Sequence, residues 1–427
     1  MLVATAVLCA VLAGTALAVD TSAAAAFDAP KRLVALIGVA LAALFAFGWP
    51  ARERGRGSPW REARRLPRAA LALTIAALLA GLASAWLSPR RGVSLDALRS
   101  IALLCLLLPL GASRLFPTAG RWLAGAFLAA CSLNAAVSLL QSRGTFRPFL
   151  LQTSGERQDT GAYAGNVGYL AITLALGAVL ALGLAVLSRG RPRAFGAAAF
   201  LLMAAGLVVN RNLTALTSAL AGAAVLLALR YRRRAVMPIL AATLAAALAV
   251  IAYPPLRQRA GELARAARSG NWDALVSFRG GPWAAAVEMA RERPLAGYGP
   301  GTFAAEYVPH RLAAEIRARR RFVSPLVTSS YGEAHSDYLQ VFADAGIPAG
   351  VSAALAVASL LAAIRARAAR SGDIESILLS ALLITGAAAA LTWFPMQRPI
   401  TAVPILLAAG RAWRISASDE RGSRPEE

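Results

Sequence analysis

The sequence predicts an all-α, polytopic membrane protein of about 12 transmembrane helices, with one large, mostly helical loop between helices 9 and 10. Three observations predict it. Hydrophobic residues make up 58% of the 427 and the mean hydropathy is +0.56, more apolar surface than a soluble protein of this length buries. The apolar residues gather in runs near the roughly 20 residues that cross a bilayer as helix, the open-chain form that satisfies its own backbone hydrogen bonds in lipid. Between the runs stand the cations, 45 Lys and Arg against 22 Asp and Glu.

In chain order the runs cover residues 2–19, 33–49, 69–86, 98–110, 122–140, 167–187, 194–209, 213–229 and 236–253, then 347–364, 374–393 and 400–413. The fourth and the last are short, so they either extend into flanking residues or pair as a re-entrant feature. The first ends in Ala16, Leu17 and Ala18, like the end of a cleaved signal peptide, but no Lys or Arg precedes it, which argues for a retained helix. Cys9, Cys105 and Cys131 lie inside apolar runs and read as small packing residues, with no disulfide framework or thiolate metal site implied.

Charge sets the expected orientation. With the N-terminus inside, the connections at 52–68, 114–121, 189–193, 230–234 and 365–370 share one side with the tail from 411, and together they hold 23 Lys and Arg. The opposite short connections hold ten: Lys31, Arg32, Arg90, Arg91, Arg99, Arg143, Arg147, Arg157, Arg211 and Arg398. Cytoplasmic loops retain Lys and Arg, so both termini are expected inside and the long connection outside. The expected organisation is residues 1–253 as helices 1–9, 254–346 as an outer loop domain, 347–413 as helices 10–12 and 414–427 as a cytoplasmic tail.

The net charge of +23 does not indicate a nucleic-acid partner, because the arginines are spread over membrane-flanking loops with no aromatic-basic module among them. Topology and anionic membrane lipids account for most of it. Arg157, Arg211 and Arg279 stand near helix ends on the outer side, where a guanidinium is costly unless it meets an anion; snorkelling to lipid phosphate is the plainer reading of each alone.

A loop beyond 15 residues without low complexity is usually functional. Helical spacing covers 257–268 and 283–292. Pro294, Gly297, Gly299, Pro300 and Gly301 then break the helix ahead of Phe303 and allow the backbone a close approach to another element or a ligand. After Gly332, the stretch 333–346 reads as a helix closed by Gly346. On it His335, Leu339 and Phe342 fall at i, i+4 and i+7, placing the imidazole on the bundle-facing side. A lone histidine there is more often a hydrogen-bonded core residue. The chain holds one other, His310.

Ala334-His335-Ser336-Asp337-Tyr338-Leu339-Gln340, followed by Asp344-x-Gly346-Ile347-x-x-Gly350, resembles the signature near the end of the periplasmic loop in the O-antigen ligases and related polymerases. The family usually has Asn where Ser336 stands and Glu where Asp344 stands. Residues 294–303 are similar to its second pattern, a proline followed by alternating glycines and an aromatic. Thr160-Gly161-Ala162-Tyr163-Ala164-Gly165-Asn166, within 157–171, is similar to its Gly-Thr-Phe-x-Asn-Pro-Asn segment, with Val167-Gly168 in place of the final Pro-Asn.

The resemblance implies a transferase that moves a glycan from undecaprenyl diphosphate to an acceptor hydroxyl at the outer face of the bacterial inner membrane, with no metal, nucleotide sugar or other cofactor. It also implies an arginine soon after the ninth helix, matched by Arg279 ahead of Trp283. A second is implied at the outer end of a middle helix. Family members often carry Ser-Arg-x-Ala there; this chain carries Asn210-Arg211-Asn212-Leu213, a register that leaves either Arg211 or Leu213 at the arginine position.

The chemistry is consistent with those residues. Charge grows on a diphosphate leaving group as the anomeric carbon–oxygen bond breaks, so guanidinium donors from Arg279, Arg211 and Arg157 stabilise the transition state more than the ground state. The attacking hydroxyl must lose a proton, and His335 is the candidate general base. No dense Asp cluster on the outer side offers the oxygen ligands of Mg²⁺, and Glu333, His335 and Asp337 at alternate helix positions would point apart. A ligase joining O-antigen to lipid A-core is the first reading. A polymerase extending the glycan on its carrier, or a protein O-oligosaccharyltransferase, shares the same donor chemistry. A transporter is disfavoured, since transporters place their sites at broken helices near midplane.

Overall fold

A computed structural model describes residues 2–23, 25–48, 68–113, 115–146, 160–322 and 331–422, which are helical with no strand among them. The membrane-type helices are α1 (Leu2–Leu17), α2 (Ala29–Ala43), α3 (Arg68–Leu87), α4 (Arg91–Cys105), α5 (Leu107–Ala112), α6 (Phe116–Ser142), α7 (Val167–Leu187), α8 (Arg191–Asn210), α9 (Leu213–Tyr231) and α10 (Val236–Ala252). The long connection forms α11 (Pro254–Arg268), α12 (Trp272–Leu275), α13 (Gly280–Glu292) and α14 (Phe303–Ala318). The chain ends with α15 (Asp337–Ser371), α16 (Ile374–Thr392) and α17 (Pro399–Gly422).

Each expected apolar run falls on helix over most of its length; Ala18, Val19, Leu106, Tyr253 and Trp393 lie outside the helices, and Trp49 lies outside the described residues. Among the described residues, eight stretches are long and apolar enough to cross a membrane; Leu213–Ala252 holds the expected eighth and ninth runs together, and Leu2–Leu17 and Leu71–Leu87 are shorter apolar helices. The short fourth run extends at its N-terminal side into the stretch Arg91–Ala112, and the last grows past Trp413 as α17.

Side chains supply several helix starts with the acceptor that their first N–H groups lack. Asn166 Oδ1 accepts from Gly168 N at 2.7 Å, Asn212 Oδ1 from Ala215 N at 3.0 Å and Asp373 Oδ1 from Ser376 N at 2.8 Å. The core centres on α7, where Leu170, Ile172, Leu174 and Leu176 are fully buried. Small residues let its neighbours close in, as membrane helices require: a Cβ on Gly222 of α9 would stand 2.0 Å from Thr385 Oγ1 of α16.

In the long connection, α11 and α13 are the helices that periodicity predicts. α13 and α14 enclose a small core of Ala285, Ala286, Met289, Phe303 and Tyr307, joined by Tyr298, Ala334 and Ala343. The glycine-rich turn at 294–301 docks on the end of the first helical stretch of α15, which Gly346 breaks with φ 79°. Tyr298 N donates to Ala343 O (3.1 Å), Gly299 N to Asp344 O (2.7 Å) and Ile347 N to Pro294 O (2.7 Å). The first two satisfy carbonyls that a helix end leaves open, and the third gives Ile347 N an acceptor where α15 resumes. Ser84 Oγ and Ser88 Oγ, from the end of α3, bind Asp344 O and Tyr298 O at 2.7 and 2.6 Å. The contact is backbone to backbone, which is why Gly297 is glycine: a Cβ there would lie 2.5 Å from the Asp344 carbonyl.

Candidate active site

His335 is not on a helix. The expected helix over 333–346 begins at Asp337, because the Ser336 hydroxyl accepts from Leu339 N (3.4 Å) as its N-cap. The i, i+4, i+7 register that would aim the imidazole therefore does not apply. His335 instead occupies a left-handed turn residue, φ 54°, a conformation costing a non-glycine residue about 1–2 kcal/mol.

The surroundings hold that conformation. Ala334 N donates to Gln340 Oε1 (2.7 Å), and Gln340 Nε2 donates to Asp344 Oδ2 (3.1 Å), which also accepts from Gly301 N (3.4 Å). Gln340 thus couples the turn at His335 to the glycine-rich turn. On the far side, Trp283 Nε1 donates to His335 O (3.3 Å). Asp337 N donates to Trp393 O (3.1 Å), and Asp337 Oδ2 accepts from Met396 N (2.8 Å). The imidazole, half-buried, meets three rings edge-on: Tyr331 at 5.3 Å, Trp393 at 5.1 Å and Phe394 at 5.0 Å between centroids.

Arg279 reaches the same cluster. It stands at the start of α13, after Ser277 and Phe278, both with positive φ (54° and 61°). Such strained pairs persist where the surroundings dictate them. Here Arg259 donates to Ser277 Oγ (3.0 Å), and Phe278 N donates to Asp273 O (2.6 Å). The Arg279 guanidinium lies 5.3 Å from the Trp393 ring and 3.5 Å from Thr214 Oγ1, which pairs with Thr392 Oγ1 at 3.0 Å.

Beside these stands an ion cluster that the sequence reading missed. Arg398 bridges Asp28 (3.0 Å) and Glu333, with its guanidinium 4.5 Å from the ring of Tyr169 and 5.4 Å from that of Phe394. Arg32 binds Asp28 at 2.6 Å. Burial pushes Glu333 above the usual carboxylate range despite Arg398. Burial acts on Asp28 the same way, but Arg398 and Arg32 together outweigh it and hold that carboxyl below its usual range. Glu333 and Asp337, weighed above as metal ligands, are thus occupied by Arg398 and by the Met396 amide. Arg398 was visible only as an outer-side cation; its partners come from α2, α7 and the turn before α15, which no local pattern connects.

The other two predicted arginines stand differently. Arg211 caps α8 with φ 53°, exposed, three residues before Thr214. Arg157 lies outside the described residues. Of its motif, residues 162–164 form a 3-10 turn and Asn166 caps α7. That turn is held by the buried Lys31, whose Nζ donates to Tyr163 O at 2.7 Å, and by Asn134 Oδ1, which accepts from Tyr163 N at 3.1 Å.

The site gathers the starts of α2, α7, α9 and α15 with the end of α16, at one end of an apolar helical bundle. That defines a multi-pass membrane protein with its polar chemistry collected beside a helical loop. The sequence profile described as O-antigen ligase matches residues 198–354, from α8 through the first half of α15, and over that segment the chain is similar to the O-antigen ligases. The matched segment contains Arg211, Arg279, the glycine-rich turn and His335. Trp393, Phe394 and Arg398 lie beyond it. No curated protein matches the chain.

Proposed function

We propose that the protein transfers O-antigen glycan from undecaprenyl diphosphate to a hydroxyl of lipid A-core, at the periplasmic face of the bacterial inner membrane. The observation that carries this reading is the meeting of His335 and Arg279 on one tryptophan: the imidazole packs 5.1 Å from Trp393 and the guanidinium 5.3 Å from it. A base and a cation separated by 55 residues of chain are held against one ring. In the proposed step, His335 takes the proton of the acceptor hydroxyl as its oxygen attacks the anomeric carbon. The carbon–oxygen bond to the diphosphate breaks, and undecaprenyl diphosphate leaves with the negative charge, which Arg279 stabilises. Arg211, at the neighbouring helix turn, and Arg157 serve the same diphosphate in this reading. No step calls for a metal or cofactor. The arginine-poor side of the connections is the side where the helix ends converge, which supports a periplasmic site. A reporter after Arg234 is then expected in the cytoplasm and one near Ala313 in the periplasm.

The test is transfer by purified protein in nanodiscs, given a polyprenyl-diphosphate-linked glycan and lipid A-core. Arg279→Ala is expected to lower transfer by orders of magnitude. Arg279→Lys keeps the charge but loses the two-pronged donor geometry and should recover only part of it. Equal rates for wild type and both variants would remove Arg279 from the mechanism. Elongated glycan on the carrier, with lipid A-core untouched, would make the protein a polymerase.

A further inference from the structure

α14 is apolar on both sides. Phe303, Tyr307, His310 and Ala314 face inward and are buried. The opposite face carries Ala304, Ala305, Val308, Leu312, Ala313 and Ile316, all exposed, with Val308 at 43%, Leu312 at 46% and Ile316 at 79%. A continuous apolar face of this kind marks a contact surface. The exposures match those of Leu79 and Leu82, at 60% and 49% on the outer side of α3, which lies among the apolar helices.

The structure also shows the level at which α14 sits. Its first turn is tied to the α3–α4 corner: Arg90 binds Glu306 at 2.8 Å, and a Cβ on Gly301 would stand 2.8 Å from the Cβ of Ala97 in α4. That corner carries the marks of a membrane boundary. Trp86 is 59% exposed with the Arg91 guanidinium 4.7 Å from its ring, the aromatic-and-cation pairing of headgroup depth. One turn on, Asp96 and Arg99 form an exposed ion pair. Leu295, 78% exposed, extends the apolar surface beside Ile347, at 46%, where the span of α15 resumes. Arg319 and Arg321 follow the last turn, exposed.

We propose that α14 is an interfacial helix whose outer face lies in the phospholipid surface next to the site, seating the loop on the bilayer. The inference rests on the membrane-spanning fold and is independent of the transfer reaction. Its test is a set of single-cysteine variants in nanodiscs, Leu312→Cys, Ile316→Cys and Arg317→Cys, in a background with Cys9, Cys105 and Cys131 replaced by alanine. Each carries a nitroxide whose collisions with oxygen and with an aqueous nickel chelate are compared. The oxygen-to-nickel ratio is expected to be several-fold higher at 312 and 316 than at 317, on the opposite edge. Ratios at 312 and 316 equal to that at 317 would place the face in water and overturn the proposal. Shielding of 312 and 316 from both reagents would overturn it as well, since a protein surface would then cover the helix.

Discussion

The chain's two histidines occupy opposite kinds of surroundings. His310 sits within α14, its side chain 6% exposed, with Nδ1 2.6 Å from Glu306 O and Nε2 2.9 Å from the Tyr298 hydroxyl and 3.1 Å from Glu292. A carbonyl only accepts, so Nδ1 carries a proton and Nε2 faces Tyr298 and Glu292. The ring is a strut between α13 and α14, the hydrogen-bonded core histidine that is the plainer reading of such a residue. His335 sits on a left-handed turn between helices, half-buried and bordered by ring edges. Regular backbone carries the packing histidine and irregular backbone the one beside Arg279, as expected if local rules are broken where chemistry is done.

The largest expected effect tests that contrast directly. His335→Ala should lower transfer about 10²–10⁴-fold, about 3 to 5 kcal/mol of barrier, with little change in melting temperature. His310→Ala should do the reverse, costing about 1–3 kcal/mol of stability through unpaired buried groups while the folded fraction turns over normally. His335→Gln can hydrogen-bond an acceptor but cannot take its proton; near-normal turnover would show that His335 positions without acting as base. Because a base must be unprotonated, wild-type transfer should fall once the pH is low enough to protonate His335.

The next effect concerns how the turn is held. Gln340→Leu keeps the volume but cuts both bonds, freeing Ala334 N from Gln340 Oε1 and Asp344 from Gln340 Nε2. A shift of about 1 Å in a reacting group can cost about 10²-fold, so turnover should drop 10- to 100-fold with KM for the donor little changed. A rise in KM alone, with normal turnover, would mean that Gln340 serves binding and not the placement of His335.

Much of this architecture is legible in the sequence, because lipid enforces a simple rule: each apolar run of sufficient length becomes a helix, and the observed helices follow the runs. Glycines at 297, 299, 301 and 346 likewise announced breaks that the structure makes. The start of α15 was misplaced because residues 333–336 have acceptable helical character, yet the Ser336 hydroxyl competes for a backbone N–H and starts the helix after itself. The sequence singled out His335 and Arg279, but their convergence on Trp393, and the Arg398 cluster with Asp28, Glu333 and Tyr169, are tertiary events. Trp393 read only as the end of an apolar run and Phe394 as the residue after it, with nothing local to mark them as the surface on which the site is assembled.

The smallest expected effect returns to His310 and uses its acidic neighbour. The Tyr298 hydroxyl first, and His310 after it, hold Glu292 below the usual carboxylate range against the opposing effect of burial. A carboxyl whose pKa is lower in the folded than in the unfolded chain stabilises the fold above the unfolded value, and that contribution is lost as pH falls through the folded one. Glu292 is 62% exposed, so solvent screens its interactions and the effect on melting should be small. Glu292→Gln keeps an acceptor for Tyr298 and removes the charge. At pH 7 it should melt slightly below wild type, and the gap should narrow as the pH is lowered past the ordinary carboxylate range, where wild type becomes neutral too. A gap that stays constant down to that range would assign the contribution of Glu292 to hydrogen bonding and not to charge. Transfer by the folded protein should be unchanged throughout, since the pair belongs to the strut and not to the turn that carries His335.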